Sequence, residues 1–291
     1  MPETIAAIVA AHRSGQLAPA QTVARSFARI RDYNDPAVFI SLRDEKDALG
    51  EAESLRAKDA AELPLFGVPV AVKDNIDVVG LPTTAACPAF AYQPIHDATS
   101  VARLRAAGAI IIGKTNLDQF ATGLVGVRSP YGIPKNPIRA DLIPGGSSSG
   151  SANAVAAGLV PLGLGTDTAG SGRVPAMLNN IVGLKPSLGM VSAAGVVPAC
   201  RTLDCVSVFS LTVDDAVQGR GNPARSRGVG AQRERNQSGA HRRRRAGARA
   251  AGDQVGAQSV ARNAIRRAHP DEAGCELVEI GLADDDRPRP L

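Results

Sequence analysis

The stretch from Gly145 to Ala176, GGSSSGSANAVAAGLVPLGLGTDTAGSGRVPA, constrains the fold more than any other part of the chain. It contains two loops of serine, threonine and glycine, at 145–150 and 166–173, separated by small and apolar residues. This pattern predicts a helix over 151–158 and a buried strand over 159–165, followed by a second helix. The two hydroxyl-bearing loops should therefore converge at one end of a sheet.

Several kinds of site use loops of this composition. A flexible linker would not pass straight into an apolar helix and strand, and a phosphate-binding loop would need a lysine before a serine or threonine. Residues 146–150 fit the G-x-S-x-G pattern, with Ser148 at the centre, but that mechanism requires a downstream histidine. The downstream histidines, His241 and His269, lie in a stretch with little apolar content. A lysine held neutral is the remaining common base for activating a serine.

Two lysines follow apolar, strand-like runs and are candidates for this base. Lys73 follows the run 65–72, and Lys114 comes shortly after the run 109–112. A lysine at its reference pKa of about 10.4 is charged, so burial or a neighbouring cation would have to lower the pKa. Composition and spacing alone do not choose between the two lysines.

Taken together, the motifs resemble those of the amidase signature family. The match rests on GVPVAVK, which ends at Lys73, on GGSSSGSA, and on GTDTAGS, with Ser147 and Ser171 twenty-four positions apart. The segment NNIVGLKPS is similar to the allophanate hydrolase branch of the family, and the resemblance covers residues 1 to about 217. It implies hydrolysis of allophanate without a metal or cofactor. The alternatives are a general amidase and the glutaminase component of a tRNA-dependent amidotransferase.

The resemblance also implies a role for each residue of a Ser-Ser-Lys triad. Ser171 would be the nucleophile, Ser147 a bridging serine that follows a cis peptide, and Lys73 the base that takes a proton through Ser147. The other implied site residues are the oxyanion-hole amides of Thr168, Ala169, Gly170 and Ser171 and the supporting residues Ser148, Ser149, Asp167 and Arg173. Asp167 and Arg173 would pair and brace the second loop. Family likeness thus favours Lys73 over Lys114 as the base.

Alternation of buried strands with helices predicts an α/β fold with a mixed, mainly parallel sheet flanked by helices and incomplete on its C-terminal side. Helices are expected at 2–14, 19–33, 44–61 and 100–107, and strands at 37–42, 65–72 and 109–112. Aromatic residues make up 3% of the sequence and tryptophan is absent, so aliphatic side chains must fill the core.

The composition changes abruptly after residue 217. We divide the chain into an amidase domain at 1–217, a basic segment at 218–270, and a short family-like remnant with a polar tail at 271–291. The basic segment holds thirteen arginines and two acidic residues, and its few large apolar residues cannot offset the entropy of ordering it. Foreign composition between two family-like pieces favours a reading-frame shift in the gene. The alternative is a catalytically impaired fragment with a nucleic-acid-binding tail.

Composition also limits where the protein can be located in the cell and what it can bind. No apolar run reaches the ~18 residues of a membrane span, and the N-terminal residues MPETIAAIVAAHRSG do not resemble a signal peptide. The four cysteines lack C-x-x-C spacing, so neither a zinc site nor a disulfide framework is indicated. We expect a cytoplasmic enzyme that binds a small amide, with no membrane or nucleic-acid partner and with a homodimer left open.

Overall fold

The computed structural model describes residues 3–55 and 60–221 and the backbone of residues 276–278. The α-helices of this part are α1 (Ile5–Arg13), α2 (Pro19–Tyr33), α3 (Glu45–Ser54), α4 (Thr99–Ala106), α5 (Ser149–Ala156), α6 (Arg173–Leu178) and α7 (Val213–Arg220). The strands are β1 (Phe39–Leu42), β2 (Pro69–Lys73), β3 (Ile110–Thr115), β4 (Leu162–Asp167), β5 (Val182–Lys185), β6 (Cys205–Ser210) and β7 (Glu276–Val278). Most of the predicted basic segment and tail lies outside the described residues.

The strands form one mixed sheet in the order β1-β3-β2-β4-β6-β5-β7. The central strands β3, β2 and β4 are parallel neighbours, and the remaining pairings are antiparallel. Strands β2 to β5 therefore run in one direction, and β1, β6 and β7 run in the other. The predicted α/β class, a mixed sheet flanked by helices, is confirmed.

The connections explain where parallel pairing occurs. Parallel neighbours need a long crossover, which usually contains a helix. Helix α4 lies between β2 and β3, and α5 lies between β3 and β4, so both central pairs have such a crossover. Residues 186–204, which join β5 to β6, contain no helix, and those two strands pair antiparallel. Parallel pairing is thus found in the strands that lead into the predicted site.

Aliphatic side chains fill the core, as the scarcity of aromatic residues predicts. Strand β3 contributes the fully buried Ile110–Ile112, and β2 and β4 contribute Val70 and Leu162. Helix α5 packs against β2, β3, β4 and β6. A side chain on Gly163 of β4 would meet the carbonyl oxygen of Ser151 at 3.1 Å, so this glycine permits close contact between α5 and the sheet. The close contact brings the serine loop that precedes α5 to the end of the sheet.

The two N-terminal helices form where the sequence predicts them. The Thr4 hydroxyl accepts a hydrogen bond from the Ala7 amide at 3.2 Å and so caps α1. Helix α2 begins at Pro19, whose missing N–H costs nothing in the first turn. It ends where Asn34 adopts a left-handed conformation with φ 49°. The predicted bounds of this helix, 19–33, are confirmed.

Several other boundaries differ from the predictions. The helix predicted at 151–158 is α5, which begins two residues earlier at Ser149. The strand predicted at 159–165 is β4, which begins only at Leu162, because Pro161 has no N–H for the ladder. The boundary placed at residue 217 falls inside α7. No helix within 3–55 and 60–221 is long and apolar enough to cross a membrane.

Candidate active site

The ends of two parallel strands bring Lys73 and the second serine loop together. Lys73 is the last residue of β2, and Thr166 and Asp167 are the last residues of its neighbour β4. The Lys73 amine donates hydrogen bonds to Ser147 Oγ at 2.7 Å and to Thr166 Oγ1 at 2.7 Å. Because the carboxyl ends of parallel strands meet at one edge, this is where an α/β sheet places its functional groups.

The environment of Lys73 lowers the pKa of its amine to near neutral pH. The side chain is fully buried, and burial lowers its pKa from 10.5 to about 7. The negative charges of Asp118, Asp167 and Asp204 act in the opposite direction and limit that decrease. The amine can therefore lose and regain a proton near neutral pH, which an exposed lysine cannot do.

Lys114 lies in a different environment, although the sequence presents it in the same way. Its amine is 2.9 Å from Asp74 Oδ1 in a fully buried ion pair. It also donates to Pro82 O and Thr83 Oγ1, each at 3.1 Å. Burial lowers the pKa of Lys114, and the Asp74 carboxylate limits that decrease. Lys114 thus compensates a buried carboxylate, whereas Lys73 contacts hydroxyl groups.

The first serine loop, residues 145–150, has the geometry that its sequence implies. The Gly146–Ser147 peptide is cis, as predicted. A Cβ atom on Gly146 would lie 2.1 Å from Asp118 Oδ2, so no larger residue fits there. The Ser147 carbonyl accepts a hydrogen bond from the Asp118 amide at 3.0 Å. Ser147 is therefore fixed through both its backbone and its hydroxyl.

The predicted supporting serines occupy different positions. Ser148 Oγ donates to Thr166 O at 3.2 Å and accepts from Thr166 N at 3.3 Å, and it thereby joins the two serine loops. Ser149 is buried, and its hydroxyl makes no hydrogen bond with the described residues. Ser151, which the sequence predicts only as the start of a helix, donates from its Oγ to Leu164 O at 2.8 Å. This bond attaches α5 to β4.

Asp167 and Arg173 pair as predicted and organise the second loop. Arg173 donates from Nε to Asp167 Oδ2 at 3.0 Å and from its terminal nitrogen to Oδ1 at 3.1 Å. The amides of Gly170 and Gly172 donate to the same carboxylate at 2.9 and 3.1 Å. Burial acts to raise the pKa of Asp167, but the Arg173 guanidinium and these amides outweigh it, so the pKa is lowered. The carboxylate remains ionised and holds the loop in one conformation.

Ser171 lies in this loop between β4 and α6. It is 3% exposed, and its hydroxyl donates to the Gly123 carbonyl at 3.5 Å. The hydroxyls of Ser147 and Ser171, both within the described residues, are not hydrogen-bonded to each other. The structure therefore places Ser171 at the same end of the sheet as Ser147 while its hydroxyl points towards Gly123.

The four amides predicted as an oxyanion hole are not equivalent. The Gly170 N–H is already donated to Asp167 Oδ1, so it is committed within the protein. The amides of Thr168, Ala169 and Ser171 take part in no hydrogen bond with the described residues. Gly170 has φ +140°, and a Cβ atom there would approach Val174 Cγ2 at 3.3 Å. Gly170 N–H is thus committed to Asp167, and the other three amides have no hydrogen-bond partner among the described residues.

Three residues that contact or influence the Lys73 amine, directly or through a neighbour, were not predicted from the sequence. Thr166 accepts from Lys73, and Asn75 in turn donates to Thr166 Oγ1 at 3.3 Å. Asp118 is fully buried and is the strongest of the charges acting on Lys73. Thr166 and Asn75 each adjoin a motif that was recognised, which could have drawn attention to them. Nothing in the local sequence around Asp118 indicates that its carboxylate acts on Lys73.

Comparisons with known proteins find relatives of this chain. A family model described as Amidase matches residues 21–219, a range that contains the whole candidate site. Urea amidolyase of Saccharomyces cerevisiae is 62% identical over 179 residues, which are 61% of this chain and 10% of that protein. The A component of the glutamyl-tRNA(Gln) amidotransferase of Symbiobacterium thermophilum is 47% identical over 212 residues, which are 70% of this chain and 43% of the relative.

Solved structures show the same relationship at the level of the fold. Kluyveromyces lactis urea amidolyase superimposes with a TM-score of 0.70 and 51% identity over 76% of this chain and 13% of that one. Kluyveromyces lactis allophanate hydrolase gives a TM-score of 0.69 and 51% identity over 75% of this chain and 36% of that one. The chain thus spans about a tenth of the curated urea amidolyases and less than half of the amidotransferase component. Because the family model covers more than half of the chain, and the relatives and solved structures agree with it, the chain belongs to the amidase family.

Proposed function

We propose that this chain is an amide hydrolase in which Ser171 is the nucleophile, Ser147 relays the proton and Lys73 is the base. The observation that carries the proposal is the 2.7 Å hydrogen bond between Lys73 Nζ and Ser147 Oγ, made by a fully buried lysine whose pKa is about 7. A lysine of this kind is neutral in a large fraction of molecules at physiological pH, which is the form that a general base requires.

The reaction would begin with two proton transfers. Neutral Lys73 takes the Ser147 proton while Ser147 takes the proton of Ser171, and Ser171 Oγ bonds to the amide carbon. For this step the Ser171 hydroxyl turns from the Gly123 carbonyl towards Ser147. The carbonyl oxygen becomes an oxyanion, which the free amides of the second loop stabilise. Return of the proton through Ser147 to nitrogen lets the C–N bond break and releases ammonia.

A water molecule would complete the cycle. It loses a proton along the same relay and attacks the acyl carbon, and the C–O bond to Ser171 breaks as the proton returns to Ser171. The arrangement of the second loop suits both halves of the reaction. Because Asp167 holds the Gly170 and Gly172 amides and is paired with Arg173, the free amides keep one orientation while charge appears and disappears.

We propose that the substrate is allophanate. Its hydrolysis would release ammonia, which is the product to measure. The support is 51% identity to Kluyveromyces lactis allophanate hydrolase and 62% identity to yeast urea amidolyase. A general carboxamide or glutamine is the second candidate, favoured by the 47% identity to a component of a glutamyl-tRNA(Gln) amidotransferase over 70% of this chain. The cytoplasmic location expected from the sequence remains part of the proposal.

A substrate panel with matched variants tests the proposal. Ammonia release is measured from allophanate, a simple carboxamide and glutamine, with the native chain and with Ser171→Ala, Ser147→Ala and Lys73→Met. Ser14→Ala is the control, since the Ser14 hydroxyl is exposed and bonds only locally to the Ala11 carbonyl. We expect allophanate to be consumed fastest, Ser171→Ala to be inactive, and Ser14→Ala to match the native chain.

The pH dependence tests the base separately. The rate should rise through about pH 7 and level off above it, because Lys73 must lose its proton to act. Native activity in Ser171→Ala would refute the nucleophile, and a rate that is flat from pH 5 to pH 9 would refute a lysine base. Consumption of simple carboxamides or glutamine without allophanate would establish the second candidate.

A further inference from the structure

Asp118 is a buried carboxylate that the reaction described above does not use. It is fully buried, three residues beyond the end of β3. Its Oδ2 accepts the Gly126 amide at 2.9 Å, and its Oδ1 accepts the Arg128 amide at 2.9 Å. The buried carboxylates Asp74 and Asp167 each have a basic side chain within ion-pair distance, and within the described residues Asp118 has none. The Asp118 carboxylate is therefore held by backbone amides and has no cation beside it among the described residues.

Those two amides shape residues 118–128 into a loop, here called the arm. The arm lies against the first serine loop, because the Gly146 amide donates to the Leu124 carbonyl at 2.9 Å and the Asp118 amide donates to the Ser147 carbonyl at 3.0 Å. It also reaches the second serine loop, since the Gly123 carbonyl accepts from Ser171 Oγ at 3.5 Å. The arm therefore contacts the backbone of one serine and the hydroxyl of the other.

The glycines of this region show how tightly the Asp118 carboxylate is enclosed. A Cβ atom on Gly146 would lie 2.1 Å from Asp118 Oδ2, and one on Gly123 would lie 2.7 Å from the same oxygen. The carboxylate is thus wedged between the arm and the residue that precedes Ser147. A displacement of Asp118 would be transmitted to Ser147 directly.

Of the other carboxylates near Lys73, two are paired with a cation and one is only hydrogen-bonded. Asp118 has the largest effect on Lys73, followed by Asp167 and Asp204. Arg173 pairs with Asp167, and Lys114 pairs with Asp74, the residue next to Lys73 in the chain. Asp204 accepts hydrogen bonds from the Thr168 hydroxyl at 2.5 Å and from the Cys200 amide at 3.0 Å. Asp118 and Asp204 are thus the carboxylates of this group without an ion-pair partner among the described residues, and Asp118 acts more strongly on the amine than Asp204.

We propose that Asp118 is a positioning residue, which holds the arm against both serine loops and supplies the negative charge that stabilises Lys73 once it has accepted the proton. The inference rests on the proposed function and deepens it. It assigns two effects to one carboxylate, placement of Ser147 and stabilisation of the protonated base. A residue with a purely structural role would produce the first effect alone.

Neutral and charge-retaining variants separate these effects. Asp118→Asn removes the charge and turns an NH₂ group towards one backbone amide. Asp118→Ser removes the charge with a smaller side chain that still accepts a hydrogen bond. Asp118→Glu retains the charge in a side chain too long for the space beside Gly146. Asp141→Asn is the control, because Asp141 is an exposed carboxylate of the same charge that pairs with Arg139 on the surface.

Two readouts are used, and one does not require turnover. The titration of the Lys73 side chain is followed by NMR in protein labelled with ¹³C-lysine, with Lys73→Met identifying the signal. The pH profile of kcat is measured for amide hydrolysis. Loss of an opposite charge that acts on an amine lowers the pKa of the amine, so Lys73 in both neutral variants should titrate at a lower pH than in the native chain. Misplacement of Ser147 should lower the plateau of kcat roughly 10- to 100-fold.

The charge-retaining variant gives the complementary result. Asp118→Glu should keep the native titration midpoint and lose kcat, and Asp141→Asn should change neither. A native midpoint in both neutral variants would overturn the assigned charge effect, and a native kcat in all three Asp118 variants would overturn the positioning role. Asp118→Ser provides the test if Asp118→Asn does not fold. If the native chain hydrolyses no amide, the proposed function fails, whereas the NMR midpoints still decide whether the charge of Asp118 acts on Lys73.

Discussion

Replacement of Lys73 by methionine should stabilise the fold at neutral pH while abolishing hydrolysis. Lys73 is fully buried, and its pKa is about 7 instead of 10.5. One pKa unit corresponds to about 1.4 kcal/mol, so the unfolded chain binds this proton more favourably by roughly 4 to 5 kcal/mol. Burial of Lys73 therefore lowers the free energy of unfolding of the native chain at neutral pH. Methionine has a similar shape and does not titrate, so the Lys73→Met variant is not destabilised in this way. Loss of the hydrogen bonds to Ser147 and Thr166 offsets about 1 to 3 kcal/mol of the gain.

The dependence of this gain on pH follows from proton linkage. Between pH 7 and pH 10.5 the unfolded chain retains the Lys73 proton while the folded chain has lost it. The contribution of Lys73 to stability therefore rises with pH in this window, by about 1.4 kcal/mol per unit. Below pH 7 both states carry the proton and the cost is at its maximum. The advantage of Lys73→Met is thus largest at and below pH 7 and disappears as the pH approaches 10.5.

Urea unfolding followed by circular dichroism at pH 7, 8, 9 and 10 measures this difference in the free energy of unfolding. Lys114→Met is the matched control, because it removes the same group from an equally buried site. There the substitution leaves Asp74 without its ion-pair partner, so we expect a loss of about 3 to 5 kcal/mol. Two results would refute the reasoning: a Lys73→Met variant less stable than the native chain at pH 7, or a difference that stays constant from pH 7 to pH 10.

Three further predictions concern the packing around the site and the N-terminal helices. Arg173→Met should lower the free energy of unfolding by about 3 kcal/mol and abolish ammonia release, because Asp167 is left buried without its ion-pair partner. Urea unfolding and the amidase assay measure these two effects, and native activity in the variant would contradict the prediction. Gly146→Ala should inactivate the chain, since the new methyl group would lie 2.1 Å from Asp118 Oδ2. The amidase assay measures this loss. Gly50→Ala is the control, because a Cβ atom at Gly50 meets nothing within 4 Å. His12 is buried, and burial lowers its pKa, so the fold should lose stability as the pH falls below about 6.5, where the unfolded chain gains a proton first. Unfolding at pH 7 and pH 5 should show that this loss is smaller in His12→Gln, and an equal loss in both chains would contradict the assignment.

The motifs allowed the sequence to predict most of the site residues. Two loops of small, hydroxyl-bearing residues beside a buried strand indicate a place where backbone amides and serines are open to a ligand. The pairing of Asp167 with Arg173 and the cis peptide before Ser147 followed from the family resemblance, and both are present in the structure. These features depend on residues close together in the chain, which is why a linear pattern can specify them.

The sheet was predicted less completely for the same reason. Strands β2, β3 and β4 were recognisable as apolar runs, and helices of recognisable pattern separate them. Strand β6 pairs with β4 across a separation of about forty residues, and β5 pairs with β6 after a loop without a helix. Nothing local to these segments fixes their neighbours, because strand pairing depends on contacts between segments that are distant in the sequence.

The linear pattern of residues thus specifies the family, the two serine loops, the aliphatic core and two lysines that could be the base. Lys73 and Lys114 can be distinguished physically only in the folded chain, since both are fully buried near strand ends and differ in what surrounds them. Lys114 meets the carboxylate of Asp74, and Lys73 meets the hydroxyls of Ser147 and Thr166. The pKa of an amine depends on burial and on the charges around it, and those neighbours come together only when the strands pair.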